Sequence, residues 1–189
     1  MPETDARSWA DAIGMYAHRY TIAKVTGREH EDWALDVGRL MHESTPDIRG
    51  WRVNDPKAGE PERVDDPYYP FVEVPSDPEK AQSLRSRVHE IPRSSARKLL
   101  VALSTLWLNI EKTKEFEQHR AEWEEKADVV LARFPDGSRF YANTGRDSAE
   151  LDYYKKISGC STISRHVWDV GLFLVSDTEV GMVWSFHAW

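Results

Sequence analysis

Residues 167–189 read "VWDVGLFLVSDTEVGMVWSFHAW". Two apolar runs flank "SDTE", and β-branched and aromatic residues fill both, the signature of two strands joined by a tight turn. A two-residue turn at Asp177-Thr178 sets Phe173 opposite Met182 and Leu172 opposite Val183. Side chains alternate along a strand, so one face carries Phe173, Val175, Val180, Met182, Trp184 and Phe186. The other carries Trp168, Val170, Leu172, Leu174 and Val183. Both faces are apolar, which demands a sheet covered on its two sides. Each large side chain left in water would forgo about 1.5–3 kcal/mol of burial. The protein's own helices, or failing them a second molecule, must supply the cover.

Upstream of this ribbon, "VVLARFPDGSRFYA" (129–142) predicts a β-hairpin turning at Asp136-Gly137, and "DSAELDYYKKISG" (147–159) a short helix ended by Gly159. From Ser94 or Ser95 to about Lys126 the pattern predicts one long helix, with Leu99, Leu103, Leu106, Trp107 and Ile110 on its apolar stripe. A shorter helix precedes it, opened by "SDPE", with Ser76 as cap and Ala81, Leu84, Val88 and Ile91 on one face; Pro92 ends it. At the N-terminus, residues 5–26 and 29–44 show the same spacing and predict a helical hairpin. The order is helices, then β-β-α-β-β. That makes an α+β fold, with N-terminal helices and one long central helix packed on a mainly antiparallel C-terminal sheet.

Between the helical parts the character changes. Seven of the ten prolines lie from Pro46 to Pro78, which excludes a long helix or a central strand there, although "PFVEV" (70–74) suits a short strand. The expected organisation is one domain, 1–189: a helical hairpin (1–45), a proline-rich loop (46–78), helices (79–127) and a β-rich half (128–189). A chain of 189 residues can bury about 70% of the surface its unfolded form exposes, so no disulfide or metal is needed to hold it.

Net charge is −7, with 32 acids against 25 bases. A balance of that sign does not attract nucleic acid or anionic lipid over the whole surface. Cys160 is the one cysteine, so an internal disulfide and a cysteine-built zinc site are both excluded. A reducing, cytoplasmic setting is expected, since the N-terminus also lacks a basic start followed by an apolar run. Arginine outnumbers lysine sixteen to nine, a bias typical of GC-rich bacterial genomes. No run of apolar residues is long enough for a membrane span.

Motif chemistry is sparse. "SGCSTISRH" (158–166) puts Arg165 one residue too close to Cys160 for a phosphatase loop. The histidines show no HExxH spacing, and GxxxxGK[ST], GxGxxG and GxSxG are all absent. No metal and no cofactor is expected. Three surfaces remain. "EPERVDDPYYPFVE" (60–73) sets Glu62, Asp65 and Asp66 beside Tyr68 and Tyr69 on a proline-stiffened loop, a composition suited to protein recognition. The expected role is therefore a small acidic binding protein that captures a protein with a basic surface, such as an immunity protein that neutralises a bacterial toxin. A second surface gathers Arg85, Arg87, Arg93, Arg97 and Lys98, which together with Arg146 could hold an anion. Without interleaved exposed aromatics it argues weakly for nucleic acid or for a phage-related regulator. Third, an enzyme site without a motif would use His166 or His187 as base near Trp168 and Trp189, with Arg139 or Arg146 orienting an anion.

Overall fold

The computed structural model describes residues 6–17, 21–50, 61, 65–105, 108, 110–145, 152–155, 157 and 159–187. In chain order the elements are α1 (Ala6–Gly14), β1 (Thr21–Gly27), α2 (Trp33–Met41), α3 (Pro78–Arg87), β2 (His89–Ile91), α4 (Arg93–Leu103), a 3-10 turn (Ile110–Lys112), α5 (Phe116–Ala132), β3 (Arg139–Ala142), β4 (Trp168–Val175) and β5 (Glu179–His187). The five strands form one antiparallel sheet in the order β1-β5-β4-β3-β2. The fold is α+β.

The closing ribbon has the expected register. Phe173 faces Met182 and Leu172 faces Val183. Both sides are covered by the chain's own helices. Phe173, Val175, Val180, Met182, Trp184 and Phe186 pack beneath Trp33, Val37, Leu40 and Met41 of α2 and Ala81 and Leu84 of α3. Val170, Leu172, Leu174 and Val183 pack against Ala12 of α1, Leu99, Leu100 and Leu103 of α4, and Val130 and Leu131 of α5. Trp184 is fully buried, and its ring lies where a side chain on Gly171 would be: a Cβ there would come within 2.1 Å of it. Gly171 is therefore glycine for room. Among the described residues no helix is long and apolar enough to cross a membrane.

Several sequence expectations are corrected. The N-terminal hairpin is not two helices. Thr21–Gly27 pairs with β5 as an edge strand, so α1 and α2 lie on opposite sides of the sheet. Its β-branched residues, Thr21, Ile22, Val25 and Thr26, fit a pleated surface better than a helix. The outer edge of β1 is closed by the following segment: Ile48 N–H donates to the Ala23 carbonyl at 2.9 Å, and Ala23 N–H to Asp47 Oδ2 at 2.9 Å. This pairing covers the outward backbone groups of Ala23, which leaves less of the edge open to another strand.

The long helix is two. α4 stops at Leu103, where the Ser104 and Thr105 hydroxyls donate back to the Val101 and Ala102 carbonyls and compete for the helix's last acceptors. α5 starts only after Glu115, a non-glycine residue with φ 61°. Nor is 129–142 a hairpin. Val129–Ala132 is helix, with Ala127, Val130 and Leu131 on the buried face, and the Asp136-Gly137 turn leads from α5 into β3. The helix before Pro92 ends at Arg87, leaving His89–Ile91 as a short edge strand; Asp77 rather than Ser76 caps it, accepting from Lys80 N–H. Residues 70–74 supply a single bridge, Phe71 to Ser164, instead of a strand. The helix expected at 147–159 lies outside the described residues, apart from a turn at 152–155 and isolated positions.

Candidate functional site

The acidic-tyrosine loop closes on the segment just before β4, and together they form one corner of the molecule. The Asp66 carboxylate starts the turn: Oδ1 accepts from Tyr68 N–H at 2.9 Å, while Tyr69 N–H donates to the Asp66 carbonyl at 3.0 Å. Backbone bonds then tie the two segments together. Val72 N–H donates to the Ile163 carbonyl at 3.1 Å, and Arg165 N–H to the Pro70 carbonyl at 2.9 Å. Phe71 is the buried anchor, its ring 5.8 Å from Phe186 on the sheet. Tyr68 stands edge-on to His42 at 4.8 Å. Arg165 Nη2 reaches Asp66 Oδ2 at 3.2 Å, and its guanidinium lies 5.4 Å from the centre of the Tyr69 ring.

The second segment is pinned from below by Asp169 of β4. This buried carboxylate accepts from the backbone N–H groups of Ile163 and Ser164, from the Ser164 hydroxyl, from Asn143 Nδ2, and from Trp184 Nε1 at 3.0 Å. Burial pushes its pKa above the ordinary aspartate value, against the pull of those donors. The corner is thus a surface feature rooted in the core. On its outside stand Asp65, exposed, and two valines: Val72 is 60% exposed and Val167 80%. These are the exposed large hydrophobic side chains among the described residues. Val72 directly follows Phe71 and Val167 lies three positions after Ser164, so both flank the Phe71–Ser164 bridge.

The basic stretch has a different character. Arg85 pairs with Asp32 and donates to Gln82. Arg87 donates to the Thr162 carbonyl at 2.8 Å and lies 3.7 Å from Glu73. Arg93 donates to the Leu131 and Phe134 carbonyls, both at 2.7 Å, closing the C-terminal end of α5. Arg97 takes Asp128 and Glu124, and Lys98 takes Asp152. Burial alone would raise Glu124, but donors from Arg120, Tyr154 and Arg97 hold it down at about 2. These cations are matched to acids and helix ends of the same chain. Glu62 and Arg146 lie outside the described residues.

Of the residues weighed for an enzyme site, the described ones are His166, Trp168 and Arg139, and Arg139 stands apart from Trp168. His166 is buried against Phe186, 5.4 Å between ring centres. Arg139 pairs with Val175, at the end of β4 opposite Trp168, and its guanidinium binds Glu90. Seven residues of strand, about 23 Å, separate those ends. The His187 side chain and Trp189 lie outside the described residues. Burial raises the Cys160 thiol to about 11, which keeps it from being a thiolate nucleophile. A shallow groove of about 380 Å³ at the start of α5 is lined, among the described residues, by Glu111, Glu115, Phe116, Glu117 and Tyr154 together with Ile110, Thr113 and Gln118, none of them a histidine, cysteine or lysine. Among the described residues no three His, Cys, Asp or Glu side chains gather as a metal site.

Asp65, Asp66, Tyr68 and Tyr69 were legible as a surface from composition. Arg165, Val72 and Val167 were not singled out. Alternation about Phe71 could have marked Val72 as outward-facing; nothing local pairs Arg165 with a carboxylate 99 positions away. No protein family, curated protein or solved structure matches the chain.

Proposed function

We propose that this protein is a non-enzymatic binding protein that captures another protein through the Asp65–Val72 and Ser164–Val167 corner. One observation carries the reading: the exposed valines, Val72 and Val167, flank a rigid loop bearing Tyr68, Tyr69 and an exposed carboxylate. Tyrosine and arginine dominate the energetics of protein interfaces, and a loop already held by backbone bonds loses little entropy on binding. The net charge of −7 favours a partner with a basic surface, because opposite potentials speed encounter and reject wrong partners. An immunity-type protein that covers the active cleft of a basic toxin in a bacterial cytoplasm is the concrete form. The lone, inert cysteine suits that compartment.

The experiment is a capture from native-host extract at low salt with wild type and with Val72→Asp/Val167→Asp. A stoichiometric protein partner retained by wild type and lost by the variant supports the reading. Equal recovery by both, or no partner at all, removes it.

A further inference from the structure

We infer that Asp169 is a proton-operated switch for the corner: ionised, it holds the 163–167 segment in its binding form, and neutral, it lets that segment go. The inference rests on the corner being the binding surface, and adds how that surface is turned off. Asp169 is fully buried, and among the described residues every group bonded to its two oxygens is a donor. Oδ1 accepts from Asn143 Nδ2 at 3.2 Å and from Trp184 Nε1 at 3.0 Å. Oδ2 accepts from Ser164 N–H at 2.8 Å and from the Ser164 hydroxyl, and Ile163 N–H reaches both oxygens. Such a ring of donors suits a carboxylate and leaves no acceptor for a carboxylic acid.

A proton arriving on Asp169 must itself be donated. Of the bonded atoms only the Ser164 hydroxyl oxygen can also accept, so the Asp169–Ser164 bond reverses and the Ser164 hydrogen has to turn elsewhere. That oxygen already accepts His166 N–H at 3.2 Å, and Ser164 is buried. The backbone N–H groups of Ile163 and Ser164 meanwhile exchange a charged acceptor for a neutral one, which roughly halves the strength of each bond. These residues tie the segment to the acidic-tyrosine loop. The Ile163 carbonyl accepts from Val72 N–H, and Arg165 N–H, next in the chain after Ser164, donates to the Pro70 carbonyl. Loosening at 163–164 therefore passes to Val72, Arg165 and Val167, while β4 and β5 keep their own ladder.

Burial favours the neutral form and holds the Asp169 pKa above the ordinary 3.8, so this carboxyl takes its proton before an ordinary aspartate does. The stability it contributes is fully present below pH 3.8 and is lost as pH rises through its folded value. Acid thus loosens the corner without unfolding the protein through Asp169. The other titratable or charged groups around it are Cys160, whose buried thiol is pushed up to about 11 and stays neutral, Arg165 and His166 on the same segment, and Arg87 of α3 on the Thr162 carbonyl. Trp184 and Phe186 of β5 bring no charge.

The test uses the full chain, isotope-labelled and titrated from about pH 7 to 4, with the Asp169 carboxyl carbon, the Trp184 indole N–H and the amides of 163–167 followed by NMR. The expected result is one midpoint shared by the carboxyl carbon, the indole and the Ile163 and Ser164 amides. Across it, exchange protection at Val72 and Arg165, corrected for the intrinsic pH dependence, falls about tenfold, and protection at Met182 of β5 stays. His166→Gln keeps the midpoint, and Asp169→Asn, the neutral mimic, shows the low protection already at about pH 7. A partner captured from native-host extract by wild type is released below the midpoint. A carboxyl that stays ionised down to pH 3.8, or one that titrates while Val72 and Arg165 keep their protection, overturns the switch. So does a transition that disappears in His166→Gln, or a partner held equally on both sides of the midpoint. The full transition with no partner recovered supports the switch and overturns the binding reading alone.

Discussion

Two regions of this protein carry arginine beside acid, and they use it in opposite ways. From Arg85 to Lys98 the cations neutralise carboxylates and close helix ends contributed by distant parts of the chain. At the corner, Asp66 and Arg165 hold one another by a single contact, and the surface around them keeps donors, a carboxylate and two valines turned to water. A run of charge in a sequence therefore does not announce a binding site. At the proposed corner, by contrast, the charge is positioned but only partly paired.

That contrast can be broken most severely at its root. Asp169→Ala leaves the Trp184 indole N–H and the backbone donors of Ile163 and Ser164 buried without their acceptor. It should lower unfolding free energy by about 3 kcal/mol, measured by urea titration, and blur the NMR signals of 163–167. Next comes Arg93→Ala. It exposes the last carbonyls of α5 and removes the cation above Phe140, and should cost about 2 kcal/mol. If Arg93 were instead a free phosphate-binding cation, its loss would leave stability unchanged.

Glu124→Gln sharpens the contrast through pH. The folded carboxyl sits at about 2 against an ordinary 4.5, so its stabilisation is fully present above pH 4.5 and is lost as pH falls through about 2. Wild type should exceed the variant by about 1–2 kcal/mol at pH 7, and the gap should narrow steadily between pH 4.5 and 2. A gap independent of pH would contradict this account. The smallest effect on stability belongs to the corner: Arg165→Ala should change unfolding free energy by about 0.5 kcal/mol or less, because a half-exposed single contact contributes little.

The core was readable because the closing ribbon is apolar with period two on both faces. Val180 through Phe186 and Val170 through Val175 allow one register about Asp177-Thr178, and a shift by one residue would exchange two differently shaped faces. β1 was hidden by ambiguity: Tyr16, Ala23 and their neighbours also satisfy helical spacing, and only pairing with β5 decides between the two. The break after Leu103 was masked by an apolar spacing that continues through Leu106, Trp107 and Ile110, although Ser104 and Thr105, weak helix formers, stand at it. The acidic-tyrosine loop could be found from composition. Its completion by Arg165 and Val167 could not, because those residues are brought to it by the Phe71–Ser164 bridge and by Asp169, contacts without a local signal.

The most direct measurement sets stability against capture in one pair of variants, Val72→Asp/Val167→Asp and Arg85→Ala/Arg87→Ala/Arg93→Ala. The account predicts that the valine pair unfolds within about 0.5 kcal/mol of wild type yet retains no partner from native-host extract, while the arginine triple is clearly destabilised and, below its melting temperature, still captures it. Capture lost by the folded arginine triple and kept by the valine pair would contradict it.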